Sequence, residues 1–314
     1  MQRTLGLSGI QVGPLAFGGN VFGWTADEPT SFRLLDAFVD SGLNLIDTAD
    51  VYSTWASGHR GGESETVIGN WFKRTGKRDK IVIATKAGKR MGDGRRGLSR
   101  KYIMQAVEDS LRRLQTDCID LYQSHEDDPT TPLEETLGAF ADLVKSGKVR
   151  AIGASNYSGA RLQQSLDISS RFGFPSYETL QPEYNLYARQ TFETDLRPVC
   201  ERSGLGVLPY FSLAAGFLTG KYRSEKDLAQ SPRGAGVKKY LNERGYRVLN
   251  VLDQVSREKN ATPAQIALAW LIAQPTVVAP LASATNVTQW NELQASVRLS
   301  LSAADIALLN DASA

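Results

Sequence analysis

Four ionisable side chains stand at or just past the ends of three apolar runs. Asp47 and Tyr52 lie in LNLIDTADVY (43–52), Lys86 ends KIVIATK (80–86), and His125 ends IDLYQSH (119–125). Singly, each has an ordinary explanation: an Asp after a strand is a turn residue, a Tyr a core-edge aromatic, a Lys a solvated end, a His a cap. Together, an acid, a phenol, an amine and an imidazole at successive strand ends point to chemistry. A phenol titrates near pH ~10, too high for a ready proton donor at neutrality. A neighbouring ammonium lowers that value, and a carboxylate holds the ammonium charged and oriented. An imidazole beside the phenol orients a carbonyl oxygen or relays a proton. Such a set suits protonation of an oxyanion as it forms, which carbonyl reduction by hydride requires. It does not suit a metal site, which wants several His or a Cys cluster. Nor does it suit a Ser-His hydrolase, since no G-x-S-x-G elbow is present.

The elements around these residues say how they could meet. Short alternating runs around Ser8-Gly9 predict a hairpin. Strands are predicted at 14–19, 43–47, 80–86, 119–125, 149–155, 177 to about 181, 205–211 and 276–282. Helical patterns fall at 30–39, 64–72, 99–114 (with Ser99 as N-cap), 132–144 (with Gly147 as C-cap), 161–172, 191–202, 239–258 and 263–273, then 288–296 and 302–310. A long loop is predicted over 212–236. One buried strand followed by one helix, about eight times, implies a parallel sheet, and eight units favour closure. The expected fold is α/β: a single-domain (β/α)8 TIM barrel over residues 1–314, its N-terminal end plugged by the β-hairpin, with extra C-terminal helices. In such a barrel all strand C-termini meet at one rim, so Asp47, Tyr52, Lys86 and His125 should converge there.

Composition is that of an ordinary globular protein, 41% hydrophobic and 22% charged, with net charge +2. No nucleic-acid or membrane partner is implied. Two cysteines, Cys118 and Cys200, argue against a disulfide framework. With no visible signal peptide or membrane-length apolar run, the expected location is cytoplasmic. Gly92 to Gly97 fits G-x-G-x-x-G, but five residues separate Lys86 from Gly92 and the helix signal waits until Ser99. A flexible basic loop at the active-site rim suits this stretch better than a dinucleotide site. Gly216 to Lys221 is one residue short of a P-loop and lacks its Ser/Thr.

On LNLIDTADVY, IVIATK and DLYQSH, in that order, the sequence resembles the aldo-keto reductase superfamily over essentially its whole length. The nearest pattern is a bacterial branch similar to potassium-channel β subunits, which shares the long loop containing SPR. The resemblance implies an oxidoreductase that interconverts small-molecule aldehydes or ketones and alcohols. Tyr52 would be the general acid/base, completed by Asp47, Lys86 and His125. It implies NADP(H) extended across the rim, with NAD(H) as the alternative. Gly19 falls in the cofactor-binding set. Ser155, Asn156 and Gln181 match positions that hold the nicotinamide amide. Tyr210, followed by Phe211, matches the residue that stacks on the ring. Ser212, Leu213, Gly216 and Lys221 match positions along the pyrophosphate, and Arg233 one near the adenosine phosphate. Gln289 and Glu292 are retained from the adenine segment, but Ser283 replaces a Gly, Leu293 replaces an Asn, and Thr285 stands without a following Arg or Lys. A 2′-phosphate ordinarily wants such a cation, so Arg233 or Lys221 would have to supply it. Phe22, Trp24 and Trp55 follow the first two barrel strands and could line an apolar pocket for aromatic or alicyclic substrates rather than highly charged ones. The rival reading is a cofactor-binding regulatory or sensor subunit with little turnover, and a homo-oligomer is compatible with either.

Overall fold

The computed structural model describes residues 2–231 and 234–314. Its centre is a sheet of eight parallel strands: β3 (Ala16–Gly18), β4 (Leu45–Asp47), β5 (Val82–Ala87), β6 (Ile119–Ser124), β7 (Val149–Ser155), β8 (Tyr177–Gln181), β9 (Gly206–Val207) and β10 (Leu281–Ala282). They run in the order β10-β3-β4-β5-β6-β7-β8-β9. Hydrogen bonds close the remaining seam: Val207 N–H donates to Thr276 O at 3.0 Å, Val278 N–H to Val207 O at 2.8 Å, and Leu281 N–H to Pro209 O at 2.9 Å. The sheet is therefore the expected barrel.

Helices wrap its outside: α1 (Glu28–Asp40), α2 (Glu63–Thr75), α3 (Arg100–Leu114), α4 (Leu133–Lys145), α5 (Gly159–Phe172), α6 (Arg197–Ser203), α7 (Glu243–Lys259), α8 (Pro263–Ile272), α9 (Val287–Gln294) and α10 (Ala303–Ser313). The starts are written in the sequence. Asp27 caps α1 through the Thr30 N–H, and Ser99 caps α3 through the Tyr102 N–H. Gly147, at φ 75°, ends the turn after α4.

Inside the barrel, side chains two residues apart share a face. Leu45, Val82, Ala84, Leu121, Ala151, Leu208 and Val278 form one apolar cluster with Leu5, Ile10 and Val12. The last three come from the hairpin of β1 (Arg3–Thr4) and β2 (Gln11–Val12). Arg3 fastens the hairpin by donating to Val277 O at 2.7 Å and Ile272 O at 2.8 Å. The hairpin thus seals the floor. The intervening residues, such as Ile46, Ile83 and Tyr122, face the helices in the larger core.

Three elements differ from expectation. The runs 205–211 and 276–282 pair as regular strand only over Gly206–Val207 and Leu281–Ala282. Pro209 and Pro280 carry no N–H to continue the ladder, so only their carbonyls take part. The helix expected at 191–202 opens with a wide π turn over Phe192–Leu196 before α6. Pro198 removes a donor and crowds the carbonyl four residues back, which accounts for the widened turn. The long loop after Phe211 contains short 3-10 segments at Ala214–Thr219, Glu225–Gln230 and Gly234–Tyr240, and the helix expected from 239 starts at Glu243.

Leu5 is fully buried at the floor. Leu5→Ala should lower unfolding free energy by about 2–5 kcal/mol, the cost of an unfilled core cavity, read by urea denaturation. A loss below about 1 kcal/mol would mean the hairpin does not seal the barrel.

Candidate active site

Register explains how the polar groups rise from an apolar floor. Asp47 pairs with Ala84 across β4 and β5, and Ala84 with Leu121 across β5 and β6; Lys86 pairs with Gln123. Lys86 therefore stands one inward rung above Asp47, and His125 one rung above Gln123. Asp47 and Lys86 each top an inward column whose lower members are apolar, and His125 tops one in which Gln123 stands between it and Leu121.

The Lys86 ammonium lies 2.7 Å from Asp47 Oδ2, donates to Thr48 O at 2.7 Å and reaches the Tyr52 hydroxyl at 3.3 Å. It is fully buried, and Asp47 is 2% exposed. Burial works against the charged Lys86, but the charges of Asp47 and Tyr52 outweigh it and hold the ammonium above its ordinary pKa. Asp47 Oδ1 accepts from Gln181 Nε2 at 2.8 Å and from Gln123 Nε2 at 3.3 Å. The Tyr52 ring meets the His125 ring edge-on, with centroids 5.9 Å apart. The loop bearing Tyr52 is tied to β5: Thr48 N–H donates to Ala84 O at 2.8 Å and Asp50 N–H to Lys86 O at 3.1 Å. Burial, then the positive charges of Lys86 and Lys89, press the His125 pKa well below its usual value. At neutral pH this leaves the imidazole uncharged, and among the described residues its buried Nδ1 has no hydrogen-bond partner.

Above these groups opens a cavity of about 1020 Å³. Asp47, Tyr52 and His125 line it, whereas Lys86 lies beneath its wall. Ser155, Asn156, Gln181, Tyr210, Phe211, Ser212, Leu213, Gly216, Lys221, Ser283, Thr285, Gln289 and Glu292 all face the same space. Many are engaged with one another. Asn156 donates to His125 O at 2.8 Å and accepts from the Tyr210 hydroxyl at 2.8 Å. Ser155 donates to Gln181 O at 2.8 Å. Thr285 donates through its N–H to Gln289 Oε1 at 2.9 Å, and Thr262 donates to Glu292 Oε1 at 2.9 Å. Amide and carboxylate oxygens carry a second lone pair, so these contacts leave acceptor capacity. The loop after β9 holds Phe211, Ala214 and Ala215 in left-handed conformations, at φ 51°, 47° and 56°. Non-glycine residues held that way cluster at ligand clamps. The lining combines the half-buried Tyr210 ring, the amides of Asn156, Gln181 and Gln289, and the Lys221 ammonium, groups that could hold a nicotinamide cofactor.

Three expectations are corrected. Phe22 does not line the cavity: it is fully buried and stacked on Phe17 at 5.0 Å, because the chain turns back into the core after β3. Gly19 lies behind the wall, its carbonyl accepting from Ser64 at 2.7 Å, and Gly18 and Asn20 line the cavity instead. Trp24 is not a lining residue; it packs edge-on against Trp55, which does line the cavity. Gly92 to Gly97 are outside the lining as well. Arg233 lies outside the described residues. Gln123, Asn20 and Lys89 were missed. Gln123 was readable, since it stands two residues before His125 on the same inward face.

Comparison with known proteins now decides the family. The sequence profile of the Aldo/keto reductase family matches residues 14–314. The chain belongs to the aldo/keto reductase family. It is 36% identical, across 98% of its length and 94% of the other's, to the "Uncharacterized oxidoreductase YrpG" of Bacillus subtilis (strain 168). It is 32% identical to "Protein tas" of Escherichia coli (strain K12), over 94% of this chain and 92% of that protein. It is also 32% identical to a "Probable voltage-gated potassium channel subunit beta" of Oryza sativa subsp. japonica, over 91% of this chain and 88% of that one. Membership makes this aldo/keto reductase an NAD(P)H-dependent carbonyl oxidoreductase. Among the described residues no helix is long and apolar enough to cross a membrane, and no His, Cys, Asp and Glu cluster is arranged to hold a metal.

The neutral His125 has a consequence for stability. An unfolded chain's histidine binds a proton near pH ~6.5, whereas the folded one resists. As pH falls below about 6.5, the unfolded state takes up a proton that the folded state does not, so this contribution to stability is lost by up to about 1.4 kcal/mol per unit. The His125 ring proton, read by NMR, should show no titration between pH 8 and 5.5. A midpoint near 6.5 in the folded protein would contradict the neutral imidazole. The other histidine is His59, so assignment is simple.

Proposed function

We propose that this protein reduces aldehydes or ketones with NADP(H), or runs the reverse oxidation, with Tyr52 as the proton donor. One observation supports this most: the Lys86 ammonium touches both Asp47 and the Tyr52 hydroxyl at the wall of a cavity of about 1020 Å³. The bound nicotinamide supplies or accepts the hydride. Tyr52 gives its proton to the carbonyl oxygen as negative charge develops there. Lys86 stabilises the phenolate left behind, and Asp47, held by Gln181 and Gln123, keeps Lys86 charged and in place. Neutral His125 offers an uncharged ring that orients the carbonyl beside Tyr52.

For the cofactor we assign Ser155, Asn156 and Gln181 to the nicotinamide amide and the Tyr210 ring to its face. Ser212, Leu213, Gly216 and Lys221 would follow the pyrophosphate. Phe211, Ser283, Thr285, Gln289 and Glu292 would surround the remainder. Lys221 lines the cavity on that side, and NADP(H) is favoured over NAD(H) only where such a cation meets the 2′-phosphate rather than the pyrophosphate common to both. Trp55 contributes an apolar wall for the substrate, and Trp24 supports it from behind.

The printed name of the rice relative keeps a regulatory role as the rival, a subunit that binds cofactor and scarcely turns over. NADPH consumption over a carbonyl panel separates the two. Tyr52→Phe should lose at least about a hundredfold in kcat while tryptophan-fluorescence titration shows NADPH binding retained. Unchanged turnover in that variant would remove Tyr52 from the chemistry. Tighter binding of NADH than NADPH would overturn the cofactor assignment.

A further inference from the structure

Lys89 follows Lys86 by three residues and has no part in the proton transfer proposed above. It lines the same cavity as Tyr52, Trp55 and His125. It is only partly exposed, and its ammonium makes no hydrogen bond or ion pair to a described residue. Burial lowers its pKa; Glu126 pulls the other way without forming an ion pair, and Lys86 adds repulsion. The chain around it is basic. Arg90 and Arg96 are exposed beside it, and Arg60 is tied to this loop through its carbonyl, which accepts from Gly92 N–H at 3.1 Å. Arg95 is already engaged by Asp93 and Asp109.

Position in the barrel separates Lys89 from the cofactor. It follows β5, which lies four strands from β9 in either direction around the closed ring. The loop after β9 carries Phe211 to Lys221, so the two sets of lining residues stand on opposite sides of the mouth. Lys89 therefore faces the substrate end. A neighbouring wall is apolar: Trp55 is 48% exposed, and its ring lies 5.6 Å from that of Tyr52.

We propose that the substrate is a carbonyl compound with an apolar, ring-sized body that also bears a carboxylate, and that Lys89 binds this carboxylate. This rests on the reductase reading above and narrows the expectation of aromatic or alicyclic substrates that are not highly charged to ones with a single carboxylate. A half-buried ammonium without a partner is stabilised by an anion that arrives with the substrate. Arg60, Arg90 and Arg96 are outside the cavity lining, so among the described residues Lys89 is the lining cation on this side, and its single charge is balanced by one carboxylate rather than by a phosphate dianion. Trp55 would pack on the body while the carbonyl reaches Tyr52 and His125.

The test compares 4-formylbenzoate with its neutral methyl ester, using the whole protein and saturating NADPH. In the wild type the ratio of kcat/KM, acid over ester, should exceed about ten. Lys89→Met should cut that ratio on the order of tenfold to a hundredfold, the range for one hydrogen bond to a charged group. The loss should appear in KM rather than kcat. Lys89→Arg should recover most of it, which a merely structural lysine would not predict. A wild-type preference for the ester, or a ratio unmoved by Lys89→Met, overturns the proposal. Should the wild type reduce neither compound, the reductase reading fails separately. Calorimetric binding of 4-formylbenzoate then decides: affinity about tenfold weaker in Lys89→Met supports the carboxylate site, and equal affinity or no binding overturns it.

Discussion

A fully buried ammonium–carboxylate pair, Lys86 with Asp47, constrains everything around it. Removing either partner of such a pair costs about 3–5 kcal/mol, because the other charge is left without compensation. The pair persists only because its remaining valences are filled. Thr48 O takes a second Lys86 proton, while Gln181 and Gln123 donate to the free oxygen of Asp47. These three come from the loop after β4, from β8 and from β6, so closure of the barrel is what delivers them to one point. The same closure demands a dry floor. Leu45, Val82 and Leu121 fill the inward rungs below, and the hairpin residues Leu5, Ile10 and Val12 exclude water from underneath. One group is left to complete the ammonium's contacts, the Tyr52 hydroxyl, and that is where the buried charge meets the open cavity.

Against the other face of β5 lies a partly buried ion pair between α2 and α3. Thr85, pointing outward between Ala84 and Lys86, donates to Glu65 at 2.6 Å, and Glu65 pairs with Arg113 at 2.6 Å. Asp50 sits beside this pair. Burial, reinforced by Glu65, pushes its carboxyl up to about 8, although Arg113 opposes the shift. At neutral pH the mostly protonated Asp50 therefore adds little negative charge behind the loop that carries Tyr52. The loop is held instead by backbone bonds to β5, which do not depend on protonation. Backbone hydrogen bonds thus join strand and loop, with ion pairs on both sides of the strand.

The inward columns were legible because they obey a period of two. LNLID, IVIATK and IDLYQSH each show an apolar ladder with its polar member at the top, and register does the rest. Gln123 obeys the same period, but it stands one rung below the strand end, where a buried amide reads as an ordinary core residue. Phe22 could not be placed, since whether a chain turns inward or outward after a strand is settled by tertiary packing, here against Phe17. Pro209 and Pro280 were visible, but their effect on pairing depends on which neighbours lack a donor, which one strand alone does not reveal. Lys89 lies beyond its strand, where periodicity no longer governs direction. The loop after Phe211 is similar: its left-handed residues include two alanines, Ala214 and Ala215, so composition carried no sign of its shape.

Charge placement along the cavity follows from these constraints. On the proposed reading two anions enter one mouth, the cofactor on the side of β9 and β10 and the substrate carboxylate on the side of β5. Each meets its own lysine, Lys221 or Lys89, with Tyr52 and His125 between them. The reacting oxygen, not either anion, must find the proton donor. A cationic imidazole midway would compete with Lys89 for the carboxylate and pull the substrate out of register. Burial and the two flanking ammonium groups keep His125 neutral, so the charges that hold the ends of the reactants also keep the centre uncharged. Fixed positive groups at the periphery thereby sort the ligands by orientation, and the buried Lys86 acts through the one hydroxyl it touches.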